Sequence, residues 1–257
     1  MTNDSSSTAH RAIALLDLTE LGDHATVDDV TALCTRAIGP HGKVAAVCVW
    51  PRHVAHAARQ LAATGVRIAT VVNFPSGNDD IDAVVELARA AQLDGADEID
   101  LVLPYRAFLA GDHARGAAMI SAVRQAVAAG SGKTLKVILE TGELVDLAVI
   151  RAAAELAIRH GADFIKTSTG KTPVSATLGA TQVMLQVIHD LDPAVGLKPS
   201  GGIRTLADAA AHLAQADTIM GPAWASPATF RFGASGLLTA LEAAIDGDTT
   251  VTGKAAY

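Results

Sequence analysis

Asp163-Phe164-Ile165-Lys166-Thr167-Ser168-Thr169-Gly170-Lys171 is a short apolar run that ends in hydroxyls and a glycine. Such a run reads as a β-strand opening into a loop. An alanine-rich segment over residues 176–189 follows as a helix, and a second apolar run over 195–198 follows that helix. Strand, helix and strand in this order form a parallel crossover unit, so both strands end on the same edge of one sheet. Lys166 and Lys198 stand at those two ends. A lysine nucleophile must be neutral to attack a carbonyl, and desolvation and a neighbouring ammonium both favour that state. The pair therefore points to carbonyl chemistry.

Outward from this unit the same alternation continues. Apolar runs at residues 44–49, 68–72, 99–103 and 135–139 precede it, and 218–220 follows, which makes seven strands. Residues 15–19 supply an eighth, with 230–232 as the competing choice. Helices are expected at 27–38, 52–63, 79–93, 112–129, 144–160, 176–189, 206–215 and 236–245. Eight strands with eight crossovers make a closed (β/α)8 TIM barrel, an α/β fold of the chain's length. An open doubly wound sheet would carry a GxGxxG turn after its first strand, and none occurs there. The expectation is one barrel domain over residues 11–257, preceded by a short polar N-terminal tail over residues 1–10.

The bulk numbers fit this. The chain has 257 residues, half of them hydrophobic, enough for a large core. A formal net charge of −7 argues against nucleic acid or an anionic membrane as a partner. Cys34 and Cys48 make no disulfide framework and no zinc spacing, which suits the reducing cytoplasm. No signal-peptide run or membrane span is expected. The nine histidines fall mostly on predicted helices and loops, so no metal and no cofactor is expected.

Side chains alternate along a strand, which sorts the charged residues. In Glu98-Ile99-Asp100-Leu101-Val102-Leu103 the apolar Ile99, Leu101 and Leu103 take the helix side and turn Asp100 toward the axis. The same rule sends Lys136, Lys166 and Lys198 inward. One carboxylate is then expected to face three amines, with Lys166 and Lys198 at the strand ends where barrel enzymes place chemistry. A plain buried ion-pair network is the bland alternative.

Two glycine-rich stretches follow the last strands. Gly201-Gly202 runs toward a helix beginning near Arg204, and Phe232-Gly233-Ala234-Ser235-Gly236 opens the final helix. Backbone N–H groups at helix starts bind anions, and barrels hold phosphate at this place. Gly170-Lys171 on the neighbouring loop adds a cation.

The segments Ile68 to Pro75, Asn78 to Asp82, Gly95 to Asp100, Glu140 to Leu144, Gly161 to Lys171, Lys198 to Arg204 and Phe230 to Ser235 together resemble the 2-deoxyribose-5-phosphate aldolase family, from Leu15 to Tyr257. The resemblance implies a metal-independent lyase that cleaves 2-deoxyribose 5-phosphate to glyceraldehyde 3-phosphate and acetaldehyde. It implies that Lys166 forms the Schiff base, that Lys198 lowers its pKa, and that Asp100 is the general acid and base through water. It further implies substrate contacts from Asp17, Thr19, Cys48, Thr169, Gly170, Lys171, Gly201, Gly202, Arg204, Ser235 and Gly236, and a C-terminal Tyr257 that moves a proton at the enamine carbon. Gly236 stands where a second serine is expected, and Ser200 where alanine is common. Other readings are a Schiff-base aldolase for different sugar phosphates and a non-catalytic sugar-phosphate-binding barrel. A homodimer is the default assembly.

Overall fold

The computed structural model describes residues 2–78, 80–127, 132–248 and 250–253, excluding the side chains of residues 2–4. Its strands are β1 (Leu16–Glu20), β2 (Ile38–Gly39), β3 (Gly42–Lys43), β4 (Ala46–Val49), β5 (Arg67–Val72), β6 (Glu98–Val102), β7 (Thr134–Ile138), β8 (Phe164–Lys166), β9 (Gly196–Lys198) and β10 (Phe232–Ala234). Strands β2 and β3 pair as a small antiparallel hairpin. The other eight form one parallel sheet in the order β10-β1-β4-β5-β6-β7-β8-β9. Arg231 N donates to Leu197 O and Gly233 N to Pro199 O, each at 2.9 Å, which joins β9 to β10 and closes the barrel. The expected (β/α)8 architecture is present.

The pattern that produces it is the alternation. Ile99, Leu101, Leu135, Val137, Ile165 and Leu197 are all buried under the surrounding helices. Their neighbours Asp100, Lys136, Lys166 and Lys198 turn to the axis, since successive side chains on a strand take opposite faces. Several of the outer helices start at side-chain caps. Thr26 and Thr205 form capping boxes with Asp29 and Asp208, and Thr177 caps Leu178–Leu191 through Ala180 N. These caps satisfy N–H groups that a helix start leaves without partners.

Three expectations are corrected. Residues 218–220 are not a strand but the last turn of the helix Leu206–Met220, which Gly221 ends at a φ of 94°. Thr218 Oγ1 donates to Ala214 O at 2.7 Å, so its hydroxyl is absorbed by the helix. The two segments that competed for the eighth position are both strands, β1 and β10. The polar stretch at the N-terminus is not a tail: helix Thr2–Ala14 runs through it and buries Ala9, Ala12 and Ile13. Arg11 fixes that helix to Asp217 through two hydrogen bonds of 2.7 and 2.6 Å.

Register sets the site. Lys166 on β8 lies beside Lys198 on β9, and Asp100 on β6 beside Lys136 on β7. Neighbouring strands are about 4.8 Å apart, so long side chains from β6 through β9 converge in the lumen.

Candidate active site

Asp100 is the hub. Its Oδ2 accepts from Lys166 Nζ at 2.9 Å and from Lys198 Nζ at 2.8 Å, and its Oδ1 accepts from Lys136 Nζ at 2.7 Å. The three amines point inward to Asp100, as the alternation predicted, and the two strand-end amines share one of its oxygens. The count of one carboxylate, however, is too low. Asp17 and Glu98 also point inward and are fully buried. Asp17 Oδ2 lies 2.5 Å from Lys198 Nζ and 3.6 Å from Lys136 Nζ, and Glu98 Oε2 lies 2.5 Å from Lys136 Nζ. Arg231 from β10's leading edge bonds Asp17 Oδ1 at 2.6 Å and Glu98 Oε1 at 2.9 Å.

These contacts divide the two lysines. Burial lowers the pKa of Lys166, the Lys198 charge adds to that, and Asp100 opposes both without restoring the ordinary value. Burial also works against Lys198, but Asp100 and Asp17 together overcome it and hold its ammonium well above the usual lysine range. Burial disfavours the ionised Asp100, yet Lys136, Lys166 and Lys198 keep it well below the usual carboxylate range. The arrangement yields one amine inclined to be neutral beside one held as a cation. Cys48 lies in the wall with Leu21, Ala69 and Val71, against Trp50 and Phe74, and burial pushes its thiol up.

Above the lysines, Gly170, Thr172, Ser175, Gly201, Gly202, Arg204, Ser235 and Gly236 are among the residues around a cavity of about 250 Å³. The final helix Leu237–Ile245 begins at Gly236 with no side-chain cap, so no side chain competes with an anion at that helix start. The other helix start differs from expectation. Asp208 accepts from Arg204 N and Thr205 N at 3.0 and 2.9 Å, so those donors are taken. Lys171 also stands beside the cavity rather than in it, with Nζ 2.8 Å from Asp23 Oδ1. Thr19 is buried and donates to Asp17 O at 2.8 Å. Asp17, expected among the substrate contacts, is fully buried and pairs with Lys198 and Arg231. Tyr257 lies outside the described residues.

Residues 10–242 match the profile of the DeoC/LacD family aldolases. A protein of Agrobacterium fabrum named deoxyribose-phosphate aldolase is 57% identical over 230 residues, 88% of this chain and 87% of the relative. The chain belongs to the DeoC/LacD aldolase family. A Toxoplasma gondii structure assigned to deoxyribose-phosphate aldolase superposes with a TM-score of 0.86 at 28% identity, over 97% of this chain and 100% of that one. A deoxyribose phosphate aldolase from Aeropyrum pernix, described as tetrameric, shares the fold with a TM-score of 0.75 at 24% identity, over 95% and 97% of the two chains.

The aldolase carries further residues around this site that sequence reasoning left without a role. Glu140 follows β7, is fully buried and has a φ of 58°, a left-handed conformation uncommon for a non-glycine residue. Its Oε2 accepts from Thr169 Oγ1 at 2.5 Å, and its Oε1 accepts from Thr172 Oγ1 at 3.3 Å. Thr169 Oγ1 in turn accepts from Lys171 N at 3.0 Å. Glu140 therefore ties down the loop between Lys166 and the cavity, and burial pushes its carboxyl up despite the threonine bonds. Arg231 carried a signal that was available: Phe230 and Phe232 flank it, and the alternation that turned Asp100 inward turns Arg231 inward too. Ser200, where alanine was expected, packs its hydroxyl against Gly233, where a side chain would collide with it. Among the described residues no helix is long and apolar enough to cross a membrane.

Proposed function

We propose that this aldolase cleaves 2-deoxy-D-ribose 5-phosphate reversibly to D-glyceraldehyde 3-phosphate and acetaldehyde through an imine on Lys166. The observation that carries the reading is the unequal pair of amines on one oxygen of Asp100, 2.9 Å for Lys166 and 2.8 Å for Lys198. The substrate is taken from the 57% identical relative, named deoxyribose-phosphate aldolase.

Neutral Lys166 Nζ adds to the C1 aldehyde of the open-chain sugar. Loss of the carbonyl oxygen as water leaves a protonated imine. A base then removes the C3 hydroxyl proton, that oxygen becomes the aldehyde of glyceraldehyde 3-phosphate, and the C2–C3 electron pair moves into the imine to give an enamine. Protonation at C2 and hydrolysis release acetaldehyde and restore the amine. Asp100 serves as acid and base through water. Bonded to three lysines it is a weak base alone, so it works as a relay that passes a proton among Lys166, Lys198 and the substrate hydroxyl. The phosphate fits the cradle of Gly170, Gly201, Gly202, Ser235 and Gly236, with Arg204 and Lys171 at its rim and Thr169 fixing the loop. Thr19 and Cys48 shape the pocket wall, and Tyr257 assists proton transfer at the enamine carbon. A cytoplasmic homodimer is the assembly proposed.

Borohydride reduction with deoxyribose 5-phosphate tests this. The expected result is a stable mass increase on Lys166, lost in Lys166→Ala, with acetaldehyde released from this substrate and none from fructose phosphates. Turnover without an adduct on Lys166 would overturn the imine, and cleavage of ketose phosphates alone would overturn the substrate.

A further inference from the structure

The ion-paired cluster of the lumen holds three enclosed carboxylates, Asp17, Glu98 and Asp100, and four cationic groups, Lys136, Lys166, Lys198 and Arg231; the buried Glu140 stands outside it, bonded to Thr169 and Thr172 with its carboxyl pushed up by burial. Fully charged, the cluster has one cation too many for a closed space, and an unmatched buried charge is costly. Arg67 also reaches Glu98 Oε1 at 2.6 Å, but its side chain is 35% exposed and water answers its charge. Something inside must give up a proton. Arginine does not, because its guanidinium stays protonated in proteins. Lys136 lies within 3.6 Å of all three carboxylates, and Lys198 forms ion pairs with Asp17 at 2.5 Å and Asp100 at 2.8 Å. Lys166 has a single carboxylate partner, the Asp100 oxygen at 2.9 Å that it shares with Lys198. It is the cation with least to lose.

We infer that Arg231 is a positioning residue for the aldol chemistry: by holding Asp17 and Glu98 with a charge it cannot shed, it leaves the lumen one carboxylate short, and Lys166 gives up its proton. The reading rests on Lys166 as the imine nucleophile. Arg231 suits the part. It is buried, its Nε donates to Pro227 O at 2.5 Å, and its Cζ lies 5.7 Å from the Phe164 ring centroid, so it is fixed between β10 and β8. Asp17 transmits the effect, with one oxygen on Arg231 and the other on Lys198. Lys166 is faced by Asp100 from β6, Lys198 from β9 and the Cys48 thiol from β4, and Glu140 after β7 also acts on it. Replacing Arg231 with a neutral side chain leaves three carboxylates for three lysines. Of the groups able to take up the missing charge, an amine does so before a carboxylate. Lys166 would then keep its proton.

The test is the pH dependence of acetaldehyde trapping on Lys166 by cyanoborohydride, read as the rate of adduct formation in variants whose melting curves show a folded protein. Arg231→Met is expected to raise the midpoint by about one pH unit or more, slowing trapping about tenfold at neutral pH. Arg231→Lys is expected to lie between the two. Glu98→Gln removes a negative charge and should move the midpoint down. Unshifted midpoints, or shifts of the same sign in Arg231→Met and Glu98→Gln, would overturn the inference. If Arg231→Met does not fold, the sign in Glu98→Gln decides alone. A wild-type protein that forms no adduct on Lys166 refutes the imine itself, a distinct failure.

Discussion

Gly236→Ser is expected to tighten binding of the phosphorylated substrate without stabilising the fold. Gly236 is the N-cap of the final helix and lines the cavity proposed to hold the phosphate. A serine hydroxyl there has two fates: capping its own helix or bonding the anion. Backbone geometry selects between them. The side chains that cap helices in this chain sit in extended backbone, Thr26 at φ −101°, ψ 171°, Thr177 at −121°, 151° and Thr205 at −125°, 161°. Gly236 is instead at φ −91°, ψ −15°, a region open to any residue but unsuited to side-chain capping. The hydroxyl is therefore left for the phosphate. A hydrogen bond to a charged group contributes about 1.5 to 3 kcal/mol, or about ten- to a hundredfold in affinity. The assay compares KM for deoxyribose 5-phosphate with KM for 2-deoxyribose, alongside a thermal melt. Only the phosphorylated substrate should gain. Equal gains on both substrates, or a higher Tm with unchanged KM, would show that the cavity is not the phosphate site or that the hydroxyl caps the helix after all.

Three more outcomes follow from the same contacts. Lys198→Met removes the ammonium beside Lys166 while Asp100 stays, so the Lys166 pKa should rise although burial still acts on it; trapping at neutral pH should fall about tenfold for each unit of that rise and recover as pH rises, and a flat profile would refute the electrostatic role. Glu140→Gly keeps the left-handed backbone of 58° without strain but removes the carboxylate that holds Thr169. KM for the phosphorylated substrate should rise about tenfold or more, with partial rescue in Glu140→Gln and little change in acetaldehyde trapping; equal damage to both readouts would make Glu140 merely structural. His212 is buried against Thr181 Oγ1 at 3.1 Å, and burial lowers its pKa from 6.5 to about 4. A base with a depressed folded-state pKa contributes fully above about 6.5, and its contribution falls as pH drops toward about 4, a loss of about 3 kcal/mol at most. His212→Asn should flatten the acid limb of stability measured by urea melts, and an unchanged slope between those values would count against the assignment.

The barrel was legible because its central strands state their two faces openly. In β6, Ile99 and Leu101 bracket Asp100, and in β7, Leu135 and Val137 bracket Lys136. The misread elements lacked that contrast. Thr218-Ile219-Met220 looks like a strand in isolation, but it continues an alanine-rich helix already capped at Thr205, and cooperative helix growth outweighs a three-residue preference. The N-terminal helix was hidden by weak helix formers among its first residues, while it docks through the small buried Ala9 and Ala12, Ile13 and the Arg11 pair with Asp217.

The site divides along a physical line between direction and count. Direction is local: alternation on one strand tells which way Lys166, Lys198 and Asp100 point, and the structure places all three in the lumen. Count is global, since Arg231 meets Asp17 across 214 residues and Lys198 meets Asp100 across 98. Applied to the first and last strands, the same rule turns Asp17 inward between Leu16 and Leu18, and Arg231 inward between Phe230 and Phe232. Closing β10 on β1 then brings them together, with Asp17 level with Gly233 and Arg231 just before it. What no single strand reveals is that four cationic groups share three carboxylates. That imbalance singles out one amine, because a shortage of partners falls on the group bound by fewest of them. On the inference above, a lysine's reactivity in this barrel is a property of the whole ring of strands, and the proton of Lys166 answers to Arg231 and Glu98, which lie beyond its own ion pair with Asp100.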